Sequence, residues 1–156
     1  AANTGLPTGK APLSEGFAVF REFLQIKPDL HVGGQVRNGT TKGIDENALA
    51  AYNAPFPDDD HKQGVRQFPN LVPGTPRTPS AEPNKEAWKI LREWKKPFLC
   101  AFSDKDPIFS GVENSFYKLI PGCKDMPHVT IQNAGHFLQE DQPNACVEAI
   151  LSIKDI

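Results

Sequence analysis

Two residues carry the strongest chemical suggestion in this sequence. Asp106 lies in Ser103-Asp-Lys-Asp-Pro-Ile-Phe109, and His136 lies in Asn133-Ala-Gly-His-Phe137. Each follows a short apolar run, Phe98 to Phe102 for the first and His128 to Ile131 for the second. A carboxylate held against an imidazole fixes the ring's tautomer and stabilises the imidazolium, so the ring can take a proton from water or from a nucleophile. If the two runs are neighbouring strands of an open parallel sheet, both loops leave at the carboxyl ends, where such sheets bind ligands. Asp106 and His136 would then face each other over one edge. Singly, each has an ordinary explanation, because Asp-Pro is a common turn and Gly-His after a strand a common solvated loop. Together, at the ends of consecutive strands, they point to a hydrolase. Asp104 is a competing carboxylate two residues before Asp106.

No Gly-x-Ser-x-Gly elbow is present, and no Asp, Ser or Cys occupies a strand–nucleophile–helix turn. Cys100 lies inside the first run and reads as a core residue, and Ser103 ends it. His31, His61 and His128 have no ligand spacing, so no metal site is expected. Cys100, Cys123 and Cys146 are odd in number and far apart, which reads as reduced thiols of a cytoplasmic protein.

The elements that would position the pair follow from periodicity. Asn84 to Trp94 reads as an amphipathic helix with Ala87, Ile90, Leu91 and Trp94 on one face. Phe98–Phe102 suits a strand buried on both faces. Ser110 can cap a helix running to about Ile120, and His128–Gln132 reads as a second strand. Asp141 can cap a last helix with Pro143 near its first position and Cys146, Ile150 and Ile153 inward. Helix, strand, helix, strand, helix is α/β grammar, with a parallel sheet flanked by helices. Two or three strands make a small sheet for that class, so the sheet looks cut. The opening residues, Ala1 to Gly9, read like a strand end running into a loop, which suggests a fragment.

The stretch before Asn84 is helical and loop-rich. Ser14 can cap a helix carrying Phe17, Phe20 and Leu24 at helical spacing, ended by Pro28. The stretch from Asp29 to Thr40 is ambiguous because Gly33-Gly34 weakens a helix. Asp45 can cap a short helix through Tyr52, and His61–Phe68 suggests another, stopped before Pro69. Proline density from Leu71 to Pro83 argues for a loop.

Composition narrows the classes further. The 156 residues carry a formal net charge of −2 with scattered Lys and Arg, which provides no basic stripe for nucleic acid. No apolar run approaches a membrane span, and no signal segment opens the chain.

Four segments, "ANTGLPTG", "AAYNAPFPDDDHKQGVRQFPNLVP", "KPFLCAFSDKDPI" and "NAGHFLQED", appear in an order that resembles the haloalkane dehalogenases of the α/β-hydrolase superfamily. Acid before histidine is also the α/β-hydrolase order, with the nucleophile earlier still. The resemblance covers essentially the whole chain, at about half the family's length. It implies the C-terminal part of an α/β-hydrolase fold plus a helical cap: residues 1–11 as the end of a central strand and loop, 12–85 as the cap, and 86–156 as main domain. It matches Asp106 to the family's acid and His136 to its base, and places Ile108, Phe109, Phe17 and Phe20 around the substrate and halide pocket. It puts the nucleophilic aspartate in an N-terminal half absent from this chain, which alone is then expected to be inactive. The implied partners are a small halogenated hydrocarbon, water, a halide ion and that missing half, with no cofactor and no metal. In the branch this sequence resembles, an indole N–H from the first cap helix holds the halide. Phe20 stands at that position and has no such donor. The alternatives are another cap-bearing α/β-hydrolase, such as an epoxide hydrolase, or a non-catalytic truncated fragment. Epoxide chemistry uses cap tyrosines as acids, and the cap stretch holds only Tyr52.

Overall fold

A computed structural model describes residues 1–155. They form two compact units. A helical unit comprises Pro7–Asn38 and Ile44–Lys85, and a sheet unit comprises Ala1–Leu6, Gly39–Gly43 and the residues from Glu86 onward.

In the helical unit, α1 (Glu15–Ile26) starts at Ser14, whose hydroxyl accepts from the Phe17 N–H at 3.3 Å, and it buries Leu24. The ambiguous Gly33-Gly34 stretch is helical, α2 (Val32–Asn38), and is followed by α3 (Glu46–Asn53). A Cβ on Gly33 would lie 2.6 Å from the Leu49 carbonyl oxygen, so glycine is needed there for the two helices to approach. The Asp45 carboxylate caps α3 by accepting from Ala48 N–H at 2.8 Å. A single helical turn, α4 (Gln63–Gln67), lies between two 3₁₀ turns, and Pro69 is buried inside the second turn rather than standing beyond the helix. The Arg66 guanidinium donates to the carbonyls of Leu24 (2.6 Å) and Pro28 (3.2 Å), closing the end of α1.

The next helix, α5 (Ala81–Leu91), starts three residues before the expected Asn84. Pro83 falls in its first turn, where a missing N–H costs nothing. The inward face also differs from expectation. Ile90 is 65% exposed and Trp94 lies beyond the helix end, partly exposed. Leu91 packs inward as expected, joined by Trp88, whose indole donates to the Leu6 carbonyl at 2.7 Å.

Two parallel strands, β1 (Ala101–Ser103) and β2 (Val129–Ile131), form the sheet in the register Ala101–Val129, Phe102–Thr130, Ser103–Ile131. The first is shorter than the apolar run that announced it. Leu99 and Cys100 are buried, but the Cys100 N–H donates to the His128 ring at 3.1 Å. On the side away from β2, the Ala101 N–H donates to the Ala1 carbonyl at 2.8 Å. Side chains alternate as a strand requires. Leu99 and Ala101 pack with Ile131, Leu138 and Ala149, while Cys100 and Phe102 pack with Phe116, Ile120 and Cys123.

Between the strands, α6 (Glu113–Leu119) starts three residues after the expected cap, because Gly111 adopts φ +82 and turns the chain first; no side chain caps this helix. After β2 come α7 (Leu138–Asp141) and α8 (Pro143–Leu151). Asp141 does not cap α8. It ends α7 with its carboxylate turned inward, and Pro143 occupies the first turn of α8. Ile150 (64% exposed) and Ile153 are exposed rather than buried, lining an open apolar groove with Leu99, Ala101 and Leu138; Ala149 is the buried residue of α8. No helix among the described residues is long and apolar enough to cross a membrane.

Candidate active site

Both polar loops leave the same end of the sheet because β1 and β2 are parallel neighbours. Backbone bonds stitch the loops together: the Asp104 N–H donates to the Ile131 carbonyl and the Lys105 N–H to the Ala134 carbonyl, each at 3.1 Å. Asp106 is buried. Its Oδ1 accepts from the Ile108 N–H at 2.8 Å, and its Oδ2 lies 3.0 Å from His136 Nδ1. A carboxylate only accepts, so Nδ1 carries the proton and Nε2 of the neutral ring keeps its lone pair. Phe109 stacks on the imidazole (centroids 5.7 Å apart, 23° between planes) and Phe137 meets it edge-on at 4.9 Å. The aromatic contacts fix the ring plane and the carboxylate fixes its proton, an arrangement that could serve as an oriented general base.

Asp104 serves a different purpose. Its carboxylate accepts from the Ala134 N–H at 3.1 Å, and that bond holds it below the usual carboxylate range. It therefore braces the histidine loop rather than the ring. Cys100 is fully buried, and burial pushes its thiol up to about 12, which removes it as a nucleophile. His128 is also committed. Nδ1 accepts from Cys100 N–H, which leaves Nε2 to donate to the Cys123 carbonyl at 2.9 Å. His31 accompanies Asn53 and His61 pairs with exposed Asp58, both in the helical unit. Among the described residues, no group of three His, Cys, Asp or Glu side chains converges as a metal site. Phe17 and Phe20 lie half-buried on α1, with centroids 6.4 Å apart, and Ile108 is half-buried beside Asp106.

Sequence reasoning missed the polar residues that hold this loop. Asn3, at φ +31, donates from its amide to Ser103 Oγ (2.8 Å) and to the carbonyls of Gly135 and His136 (2.9 Å each), and accepts from the Ser103 N–H. Ser103 Oγ donates to the Gly135 carbonyl at 2.7 Å. Asp141 accepts from the Gly135 N–H at 2.8 Å, and from Thr41 and Lys42. The available signal was positive-φ tolerance at Asn3 and an acid shortly after Gly-His-Phe; neither names its partner in sequence.

No family model matches the chain. It is 51% identical over 142 residues to a haloalkane dehalogenase of Psychrobacter cryohalolentis, which aligns with 91% of this chain and 47% of the relative. The chain is homologous to the haloalkane dehalogenases over nearly its whole length. A haloalkane dehalogenase of Mycolicibacterium paratuberculosis is 40% identical over 97% of this chain and 50% of its own length. The chain thus spans about half the length of the curated relatives it matches, and it corresponds to the C-terminal half of an α/β-hydrolase. Among solved structures, the tetrameric haloalkane dehalogenase DpaA from Paraglaciecola agarilytica matches the whole chain with a TM-score of 0.86 at 26% identity, over 52% of that protein. The haloalkane dehalogenase DbeA from Bradyrhizobium elkanii shares the fold, with a TM-score of 0.69 at 22% identity over 90% of this chain and 51% of that one.

Proposed function

We propose that this chain carries the acid–base half of a haloalkane dehalogenase site, which cleaves a carbon–halogen bond to give an alcohol and a halide ion. The observation that carries the proposal is the 3.0 Å contact between a buried Asp106 and a His136 held between two aromatic rings. Relatives named for this activity support the substrate class, a small halogenated hydrocarbon.

The chemistry divides into two displacements. A carboxylate from the half of the relatives that this chain does not span attacks the carbon, and the C–X electron pair leaves with the halide. The product is an alkyl ester. His136 Nε2 then takes a proton from water as the water oxygen adds to the ester carbonyl carbon, and the alcohol is expelled with the carboxylate restored. Asp106 stabilises the imidazolium formed in that step. Haloalkane and water enter; alcohol, halide and a proton leave. No cofactor or metal takes part. Ile108 and Phe109 are proposed substrate-lining residues of the sheet unit, and Phe17 and Phe20 of the helical unit, all by family resemblance.

Halide release from 1,2-dibromoethane tests the proposal. The 156-residue chain alone should be inactive, because general base catalysis contributes only about 10²–10⁴-fold, against 10⁶-fold or more for enzymes. Mixing it with the complementary half of a relative should produce turnover that His136→Ala abolishes. Turnover by the lone chain, or complemented turnover indifferent to His136, would refute the assignment.

A further inference from the structure

His136 sits between two residues that are each anchored away from its ring. The Gly135 N–H donates to Asp141 Oδ2 at 2.8 Å, and the Phe137 N–H donates to the Gly39 carbonyl at 3.2 Å. The Gly39 oxygen also presses on Gly135, where an added Cβ would lie 2.5 Å from it. Asp141 holds the Gly39–Gly43 segment in place for this contact: it accepts from the Thr41 N–H (2.8 Å), the Thr41 hydroxyl (2.9 Å) and the Lys42 N–H (3.1 Å). The Lys42 ammonium closes the cluster by donating to the Asp141 carbonyl at 2.9 Å. One 3% exposed carboxylate therefore joins the Gly39–Gly43 segment to the peptide preceding the histidine.

We propose that Asp141 is a positioning residue for His136: its carboxylate clamps the Gly39–Lys42 segment to Gly135 and so holds the imidazole at hydrogen-bond distance from Asp106. The inference rests on the acid–base reading of Asp106 and His136 and adds the group that maintains their geometry. Asparagine at this position has one acceptor oxygen where the carboxylate has two, and its NH₂ would face N–H donors. At least one of the Gly135 and Thr41 bonds must then break. A few tenths of an ångström of loop movement is enough to lengthen the Asp106 contact and release the ring to exchange tautomers.

The test is ¹⁵N histidine spectroscopy on the purified chain, with His136 assigned through His136→Gln. Recorded on the alkaline side of the ring's own titration, the wild type should show a protonated Nδ1 and an unprotonated Nε2. If the wild-type ring is instead a mixture of tautomers, the acid–base reading itself fails. Given a fixed tautomer in the wild type, Asp141→Asn should move both nitrogens toward the exchange-averaged range. Ile120→Ala, a core truncation away from the loop, serves as the stability control and should leave them in place. Thr41→Val removes only the hydroxyl and should produce a smaller shift in the same direction, which keeps the question answerable if Asp141→Asn does not fold. An unchanged tautomer in every folded variant of Asp141 or Thr41, or an equal shift in Ile120→Ala, would overturn the proposal.

Discussion

Asp106 and His136 lie 30 residues apart in sequence and 3.0 Å apart in space, with the carboxylate buried and the ring about a quarter exposed. The contact exists because β1 and β2 run parallel as neighbours, so the loops after Ser103 and Ile131 leave from paired positions. Its polarity is set as well. The carboxylate is held by the Ile108 N–H on one oxygen and presents the other to Nδ1, leaving Nε2 on the outward side of the ring.

Asp106→Asn should test that polarity. The amide oxygen can still accept from Ile108 N–H, so the NH₂ would face the ring nitrogen. Nδ1 would then have to accept, and the proton would move to Nε2, the nitrogen that the base needs free. Ester hydrolysis in the complemented enzyme should fall by roughly 10²–10⁴-fold, while the fold is retained by circular dichroism. Burst kinetics with an accumulating alkyl-enzyme is the expected signature; equal loss of both steps would contradict it.

Asn3→Ala should cost stability as well as function. The substitution removes the amide that satisfies the carbonyls of Gly135 and His136 and leaves the Ser103 N–H without its acceptor. A buried unsatisfied group costs about 1–3 kcal/mol, so urea unfolding should show a loss of at least that order. An effect below about 0.5 kcal/mol, the usual size for a surface change, would mean that the network is not what holds this edge.

Gly135→Ala should displace the histidine loop. The added Cβ would lie 2.5 Å from the Gly39 carbonyl oxygen, and its three nearest atoms, in Gly39 and Thr40, are all backbone, which moves only with its segment. Overpacking of this kind typically costs 1–3 kcal/mol. Gly122→Ala is the control, with a Cβ 2.0 Å from the Lys96 carbonyl oxygen. It should destabilise comparably while leaving the His136 ring resonances unchanged.

Asp141 predicts a pH dependence. Burial pushes its carboxyl up, but the N–H donors of Gly135, Thr41 and Lys42 with the Thr41 hydroxyl outweigh burial, and the net position is below the ordinary range. A folded-state value below the unfolded one, about 3.9 for aspartate, gives stability that is present above pH 4 and lost as pH falls through the folded value. The stability gap between wild type and Asp141→Asn should therefore be widest near pH 7 and close on acidification below pH 4. Chemical denaturation at several pH values measures it, and a gap independent of pH would show that the carboxylate's charge is not what the clamp uses.

Much of this protein was legible from local signals. Ser14 and Asp45 could be recognised as helix caps because a cap depends on residues within three positions. The run before Asp106 marked β1, since burial on both faces demands continuous apolar side chains, and Val129 and Ile131 marked β2 although Thr130 between them is exposed. The proximity of Asp106 and His136 followed from the parallel-sheet rule, and the likeness to haloalkane dehalogenases from four ordered segments. Other features depend on distant partners. The helix over Gly33-Gly34 packs so closely on α3 that a side chain at Gly33 would meet the Leu49 carbonyl, and the exposure of Ile90 and Ile150 does not follow from their helical spacing. Asp141 had the local pattern of an N-cap, yet in the fold it serves donors up to 100 residues away. Asn3 likewise reads as a loop residue until Ser103, Gly135 and His136 surround it. By itself the sequence determined which side chains could do acid–base chemistry and at which strand ends they stand. Tertiary structure alone decided which polar groups hold them there, because a buried hydrogen-bond donor is satisfied by whatever acceptor the fold brings near, and that choice leaves no periodic trace along the chain.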